Sequence, residues 1–107
     1  MPRQTDIRLV FQRRLKQARQ GHQLSQKELG IRTGLDAFVA STRINRYEQG
    51  VHEPDMAMVE RMAVALDVPT AYLLTTDDRL ARMILAFDRL PTAKKDDLLR
   101  MLESDNS

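Results

Sequence analysis

Few residues in this chain have types and spacings that could do chemistry. His22 and His52 are the only histidines, both in segments between helical stretches, and neither has a carboxylate or second histidine at the spacing that would put two metal ligands on one helix face. They are read as solvated loop side chains, with His52 open to a phosphate contact. Asp77 with Asp78 and Asp96 with Asp97 are adjacent carboxylates, but each pair stands at a helix start, where the helix dipole favours negative charge, and neither is read as an acid–base pair. The absence of Cys removes disulfides, Cys-containing zinc sites and thiol chemistry. With no cofactor motif, no metal-ligand set and no catalytic constellation, an enzyme is not expected. What remains is charge. Residues 1–50 carry ten Lys/Arg against four Asp/Glu, a net of +6, and residues 51–107 carry seven against eleven, a net of −4, behind a formal charge of only +2. The first half is a candidate for meeting a polyanion, against the plainer reading of solvated basic helix faces; the second half is not.

The elements that would carry those charges are all helical. Ile7, Phe11, Leu15 and Ala18 recur at spacings of four, four and three, one stripe of an amphipathic helix over 6–20 that Gly21 ends. The following LSQKEL holds a complete capping box, with Ser25 capping the N–H of Glu28, Glu28 reaching back, and Leu24 and Leu29 at the two positions of a hydrophobic staple. A second helix runs from Gln26 to about Thr33. Asp36 caps a third that ends at Gly50. Pro54 interrupts the chain and Asp55 caps a fourth helix, with Val59, Met62, Ala63 and Leu66 as its stripe; TAYLL after Pro69 makes a short fifth. Leu80, Met83, Ile84, Phe87 and Leu90 repeat at helical spacing up to Pro91, and 93–103 forms a last helix with Leu98, Leu99 and Leu102 on one side. The six methionines are read as core filler, and Arg13, Arg14 and Lys16 as a wet face. No strand pattern appears, so the fold class is all-α. At 107 residues the chain fits one domain, or one small domain with an appendage. Its apolar runs are too short to span a membrane and MPRQTDIR lacks a signal-peptide core, so a soluble protein is expected, with a reducing cytoplasm the simplest fit.

In the basic half, Gln26 opens the second helix, small Gly30 follows where two helices would cross, Gly34 makes a tight turn and Leu35 enters the core. Together with RRLKQAR, RINRYEQG, EPD and VPTAYLL, in that order and spacing over residues 8–74, this resembles the Cro and lambda-repressor type of helix-turn-helix, the XRE family. The resemblance implies a five-helix DNA-binding domain over 1–76, in which the second helix crosses the phosphate backbone and the third lies in the major groove. It matches Gln26 to a glutamine that holds a phosphate, Arg19 and Glu48 to an internal ion pair, and Ile44 and Tyr47 to residues that seat the reading helix. Counting from Ile44, it puts Ser41, Thr42 and Arg46 where base-reading residues stand, with Arg43 and Asn45 beside them near the DNA backbone.

One departure stands out. Gly34 and Ile44 are ten residues apart, where members of this family generally have about six between the turn and the seating position. The four extra residues rotate a helix by roughly 400° and lengthen it by about 6 Å, so the face turned to DNA is nearly preserved. If the helix is continuous from Ala37, Phe38, Thr42, Asn45 and Gln49 share an outer face, and Ala37, Ala40, Ile44 and Tyr47 an inner one. Phe38 then offers its ring to thymine methyl groups. Alternatively 36–40 is a loop that tucks Phe38 and Val39 inward, the reading favoured by the general tendency of aromatics to be buried.

Residues 77–107 lie outside the resemblance. Their apolar stripe must be covered either by the first five helices or by a second copy; pairing through Ile84, Phe87 and Leu102 is the preferred expectation, since such regulators usually bind two-fold sites as dimers. The function expected is sequence-specific binding of double-stranded DNA by a bacterial or phage-type regulator, most simply a homodimeric repressor, with no cofactor and no metal. The alternatives are an antitoxin, which would also bind a partner toxin, and a protein-interaction module that has lost DNA binding.

Overall fold

The computed structural model describes residues 6–105, and these are all-α: α1 (Ile7–Gly21), α2 (Gln26–Arg32), α3 (Ala37–Gln49), α4 (Met56–Ala65), α5 (Thr70–Leu74), α6 (Asp78–Asp88) and α7 (Thr92–Asp105). The leading MPRQT, part of the stretch read as lacking a signal-peptide core, lies outside the described residues. No helix among the described residues is long and apolar enough to cross a membrane, and they contain no group of three or more His, Asp or Glu able to hold a metal ion.

Helix starts follow the side-chain caps. Asp6, Asp36, Asp55 and Asp77 each accept a backbone N–H from the first turn of α1, α3, α4 and α6. At α2 the box is reciprocal: Ser25 Oγ accepts from the Glu28 N–H at 2.9 Å, and Glu28 Oε1 accepts from the Ser25 N–H at 2.8 Å. These bonds favour the charged carboxylate, the Ser25 N–H foremost, and hold Glu28 below its ordinary value. Asp6 is lowered in the same way by the Arg8 N–H. α1 ends at Gly21 as expected, but the left-handed residue is Gln23 at φ 58°, which lets the Leu24 N–H reach the Arg19 carbonyl at 3.1 Å.

Phe11 and Leu15 of α1, Leu29 of α2, Ile44 and Tyr47 of α3, four residues of α4, Leu66, and Leu73 of α5 form the centre of one core. The stripe expected on α4 is buried in full, and on α1 Phe11, Leu15 and Ala18 face the core as expected, but the buried face is wider and stops short of Ile7. Val10 and Arg14 are buried while Ile7 is exposed, because Ile7 lies at the helix start, beside a groove lined by His52, Pro54 and Met56. Arg14 therefore does not belong to a wet face. Its Nε donates to the Thr75 carbonyl at 2.8 Å, its Nη2 to Asp78 at 3.0 Å, and its guanidinium lies 5.4 Å from the Tyr72 ring centroid. The methionines divide: Met58 and Met62 fill core, while Met56, Met83 and Met101 are exposed.

The C-terminal helices part ways. α6 turns Ala81, Ile84 and Leu85 onto the core of its own chain, so Ile84, expected at a dimer contact, is half-buried there. Phe87 is half-buried, with the Lys95 ammonium 5.7 Å from its ring centroid. α7 buries no residue, and Leu99 and Leu102 are exposed. The Cα radius of gyration is 15.8 Å, with extents of 52 × 39 × 23 Å; a compact chain of this length has about 13 Å. The excess is consistent with α7 standing off the body.

Candidate nucleic-acid interface

The interface is built on the crossing of α2 and α3, and its closeness is set by Gly30. A Cβ placed there would lie 2.6 Å from the Ala40 Cβ and 2.9 Å from the Ala40 backbone, so only glycine fits. Ala40 and Ile44 are both fully buried, Ala40 against Gly30 and Ile44 one turn later in the main core. α3 is thus seated twice, once at the usual distance from Gly34 and again four residues on. It is a continuous helix from Ala37, which resolves the loop alternative. It stops at Gly50, whose φ of 77° closes the turn through the Val51 N–H to the Arg46 carbonyl at 2.9 Å.

Arg19 and Glu48 form the internal pair. Arg19 Nε lies 2.6 Å from Glu48 Oε2 and Nη2 lies 3.1 Å from Oε1, while Nη1 donates to the Leu24 carbonyl at 3.0 Å. Their side chains are 12% and 1% exposed, so this is a desolvated two-bond fork. Gln26 joins it: its Nε2 donates to Glu48 Oε1 at 3.0 Å and to Asn45 Oδ1 at 3.1 Å. Residues singled out separately in the sequence thus form one network across α1, α2 and α3. In this arrangement the Gln26 side-chain nitrogen is engaged internally, leaving its backbone N–H at the start of α2 for an outside partner, and the Asn45 amide nitrogen remains available as a donor.

Ser41, Thr42, Arg43, Asn45 and Arg46 are all exposed. At about 100° per residue, Phe38, Thr42, Asn45 and Gln49 fall within roughly 60° of one another, and Arg46 borders them on the side away from α2. Arg43 Nη1 donates to the Tyr47 hydroxyl at 3.4 Å. Arg43 and Arg46 line a cleft shared with His52 and Arg61; sequence reasoning missed Arg61, which belongs to α4 and has no local signal tying it to α3. The carboxylates of α2 and α3 are engaged: Glu28 in the capping box, Asp36 on the Phe38 N–H and Glu48 on Arg19. The Lys27 and Arg46 side chains make no hydrogen bond or ion pair among the described residues. The outer surface therefore presents Lys27, Arg32, Arg43 and Arg46 against the two exposed carboxylates Glu28 and Asp36, a net positive charge, together with hydrogen-bonding side chains.

Two placements differ from expectation. Phe38 is 96% exposed, and Val39 is also exposed, so neither is tucked into the core. Asp36 caps the helix immediately before Ala37, which leaves Phe38 on the side opposite Ala40 and Ile44. Ala37, grouped with the inner face, is exposed because it lies beyond the end of the α2 crossing.

A helix-turn-helix family model matches residues 15–73, more than half of the chain. The chain belongs to the helix-turn-helix family, of the XRE type. Among solved structures, that of the transcriptional regulator BswR is similar over 87% of this chain and 92% of that one, with 43% identity and a TM-score of 0.81. That likeness extends well beyond the matched 15–73. No curated protein matches.

Proposed function

We propose that this protein is a DNA-binding transcriptional regulator that acts as a homodimeric repressor by occupying a two-fold operator. The observation that carries the reading is the outer face of α3, where Thr42 and Arg46 project beside Ser41 from a helix whose own carboxylates are already engaged. Ser41, Thr42 and Arg46 meet base edges in the major groove. Gln26, Arg43 and Asn45 meet the phosphate backbone and fix the register. Residues 1–76 are the DNA-binding domain and 77–107 the pairing segment; the apolar side chains that α7 leaves exposed support a second copy as their cover. The transcriptional regulator BswR, similar over most of both chains, supports the regulatory role.

Binding to double-stranded DNA should weaken steeply with salt, because each phosphate neutralised releases counterions. Arg46→Ala should cost about 1–3 kcal/mol on the selected site and relax preference at one position, whereas Gln26→Ala, which removes the bonds tying the start of α2 to Asn45 and Glu48, should weaken selected and random DNA alike. Selection of bound sequences from random DNA, followed by salt titration, tests the proposal. Absence of salt-sensitive DNA binding by the parent protein would sink it, and equal losses on both DNAs for Arg46→Ala would remove that residue from base reading.

A further inference from the structure

Phe38 is an aromatic side chain left fully outside the core at the tip of α3, and the structure gives it no partner. Its surroundings restrict what could cover it. The charged side chains that α2 and α3 leave exposed are Lys27, Arg32, Arg43 and Arg46 against Glu28 and the capping Asp36, a net positive surface, and Asp36 accepts the Phe38 N–H at 2.9 Å. A partner for this ring must therefore offer an apolar group set within a polyanion. In DNA that description fits one group on the base edges of the major groove, the C5-methyl of thymine. The ring also shares its strip of helix with Thr42, Asn45 and Gln49, so it faces the groove whenever they do. It lies about 12 Å along the axis from Arg46, far enough to meet a different base.

We infer that Phe38 is a specificity-determining residue that reads thymine through its methyl group. The added turn of α3 is what supplies this residue. Ala40 occupies the usual seat against Gly30, Ile44 takes a second one, and the longer helix carries an apolar reader at its leading end and a cationic one further back. This inference rests on the DNA-binding reading above.

The test uses the full chain and the DNA site selected by the parent protein. Each thymine is replaced in turn by deoxyuridine, which removes only the methyl group. The parent should lose about fourfold in affinity at one position in each half-site, the effect of one buried methyl. Phe38→Ala should bind the thymine and deoxyuridine sites equally while keeping its preference at the other positions. Because Phe38 touches no core, Phe38→Ala should melt with the parent. Deoxyuridine insensitivity of the parent at every position, or undiminished sensitivity in Phe38→Ala, overturns the inference and leaves DNA binding standing. So does a change in oligomeric state of Phe38→Ala without DNA, which would assign the ring to a protein contact. Failure of the parent to bind any DNA with salt sensitivity overturns the underlying reading as well.

Discussion

Glu48 accepts two hydrogen bonds from Arg19 and one from Gln26 in a site from which water is almost excluded. Removing Arg19 alone leaves a buried carboxylate, and removing Glu48 alone leaves a guanidinium and an amide facing each other; either single loss is more costly than its share of the double loss. A double-mutant cycle with Arg19→Ala and Glu48→Ala, read by chemical denaturation, should show a coupling of about 0.5–3 kcal/mol. Additive changes would mean that the fork contributes nothing as a pair. The two residues lie 29 positions apart, and only family likeness makes their pairing legible in the sequence. Arg14 illustrates what stays hidden. Its sequence neighbourhood gives it the same character as Arg13 and Lys16, because periodicity shows that a helix has faces but not which face another element will cover. The covering group here is the Thr75 carbonyl, 61 residues away.

At the scale of elements, the double seating of α3 refines what the four added residues do. Deleting Ala37–Ala40 joins Asp36 to Ser41 and brings Ile44 to the distance from Gly34 that Ala40 has now. Phe38 and Val39 are exposed, so the deletion should not incur the roughly 3–5 kcal/mol of an aromatic core truncation. Its cost is steric: Ile44 would replace the smaller Ala40 against Gly30, at a crossing so close that a Cβ on Gly30 would lie 2.6 Å from the Ala40 Cβ, and overpacking there costs about 1–3 kcal/mol. The deletant should fold, melt somewhat lower, bind DNA with salt sensitivity and select a different half-site. An unfolded deletant would make the segment structural, and an unchanged site preference would strip the extra turn of any reading role. Most of this element was legible: the Asp36 cap, the Gly34 turn, the Gly30 crossing and the count of one extra turn follow from residue types and spacing. The fate of Phe38 was not, since the tendency of aromatics to be buried describes residues with no outside partner, and a single sequence does not show which residues have one.

For the whole molecule, α6 and α7 answer the covering question differently. Ile84 is already turned to its own core, so an aspartate there would destabilise the fold along with any pairing. Leu102 is 42% exposed on a helix that buries nothing, which makes it the cleaner probe. Leu102→Asp should remain folded and cooperative in melting, losing only the stability that pairing adds, sediment as a monomer where the parent is a dimer, and bind its site much more weakly. A monomeric parent at micromolar concentration would reject pairing outright. Repeating apolar positions in 80–102 announced two amphipathic helices, but how they divide between self-packing and exposure depends on the angle between them. That angle is set by the turn at Leu90 and Pro91 and by what α6 touches, neither of which is a periodic signal.

The Arg14 contact carries a further consequence. By gripping the Thr75 carbonyl and the Asp78 carboxylate at once, a buried side chain of α1 fixes the joint from which α6 departs. In a dimer paired through its C-terminal helices, the distance and phase between the two reading helices would then be a property of a stiff frame, not of a flexible tether. DNA presents the same face only once per helical turn, about 10.5 base pairs. Under the proposed function, such a frame would select the spacing between half-sites as well as their sequence, and the length of DNA between two correct half-sites would become part of what is recognised.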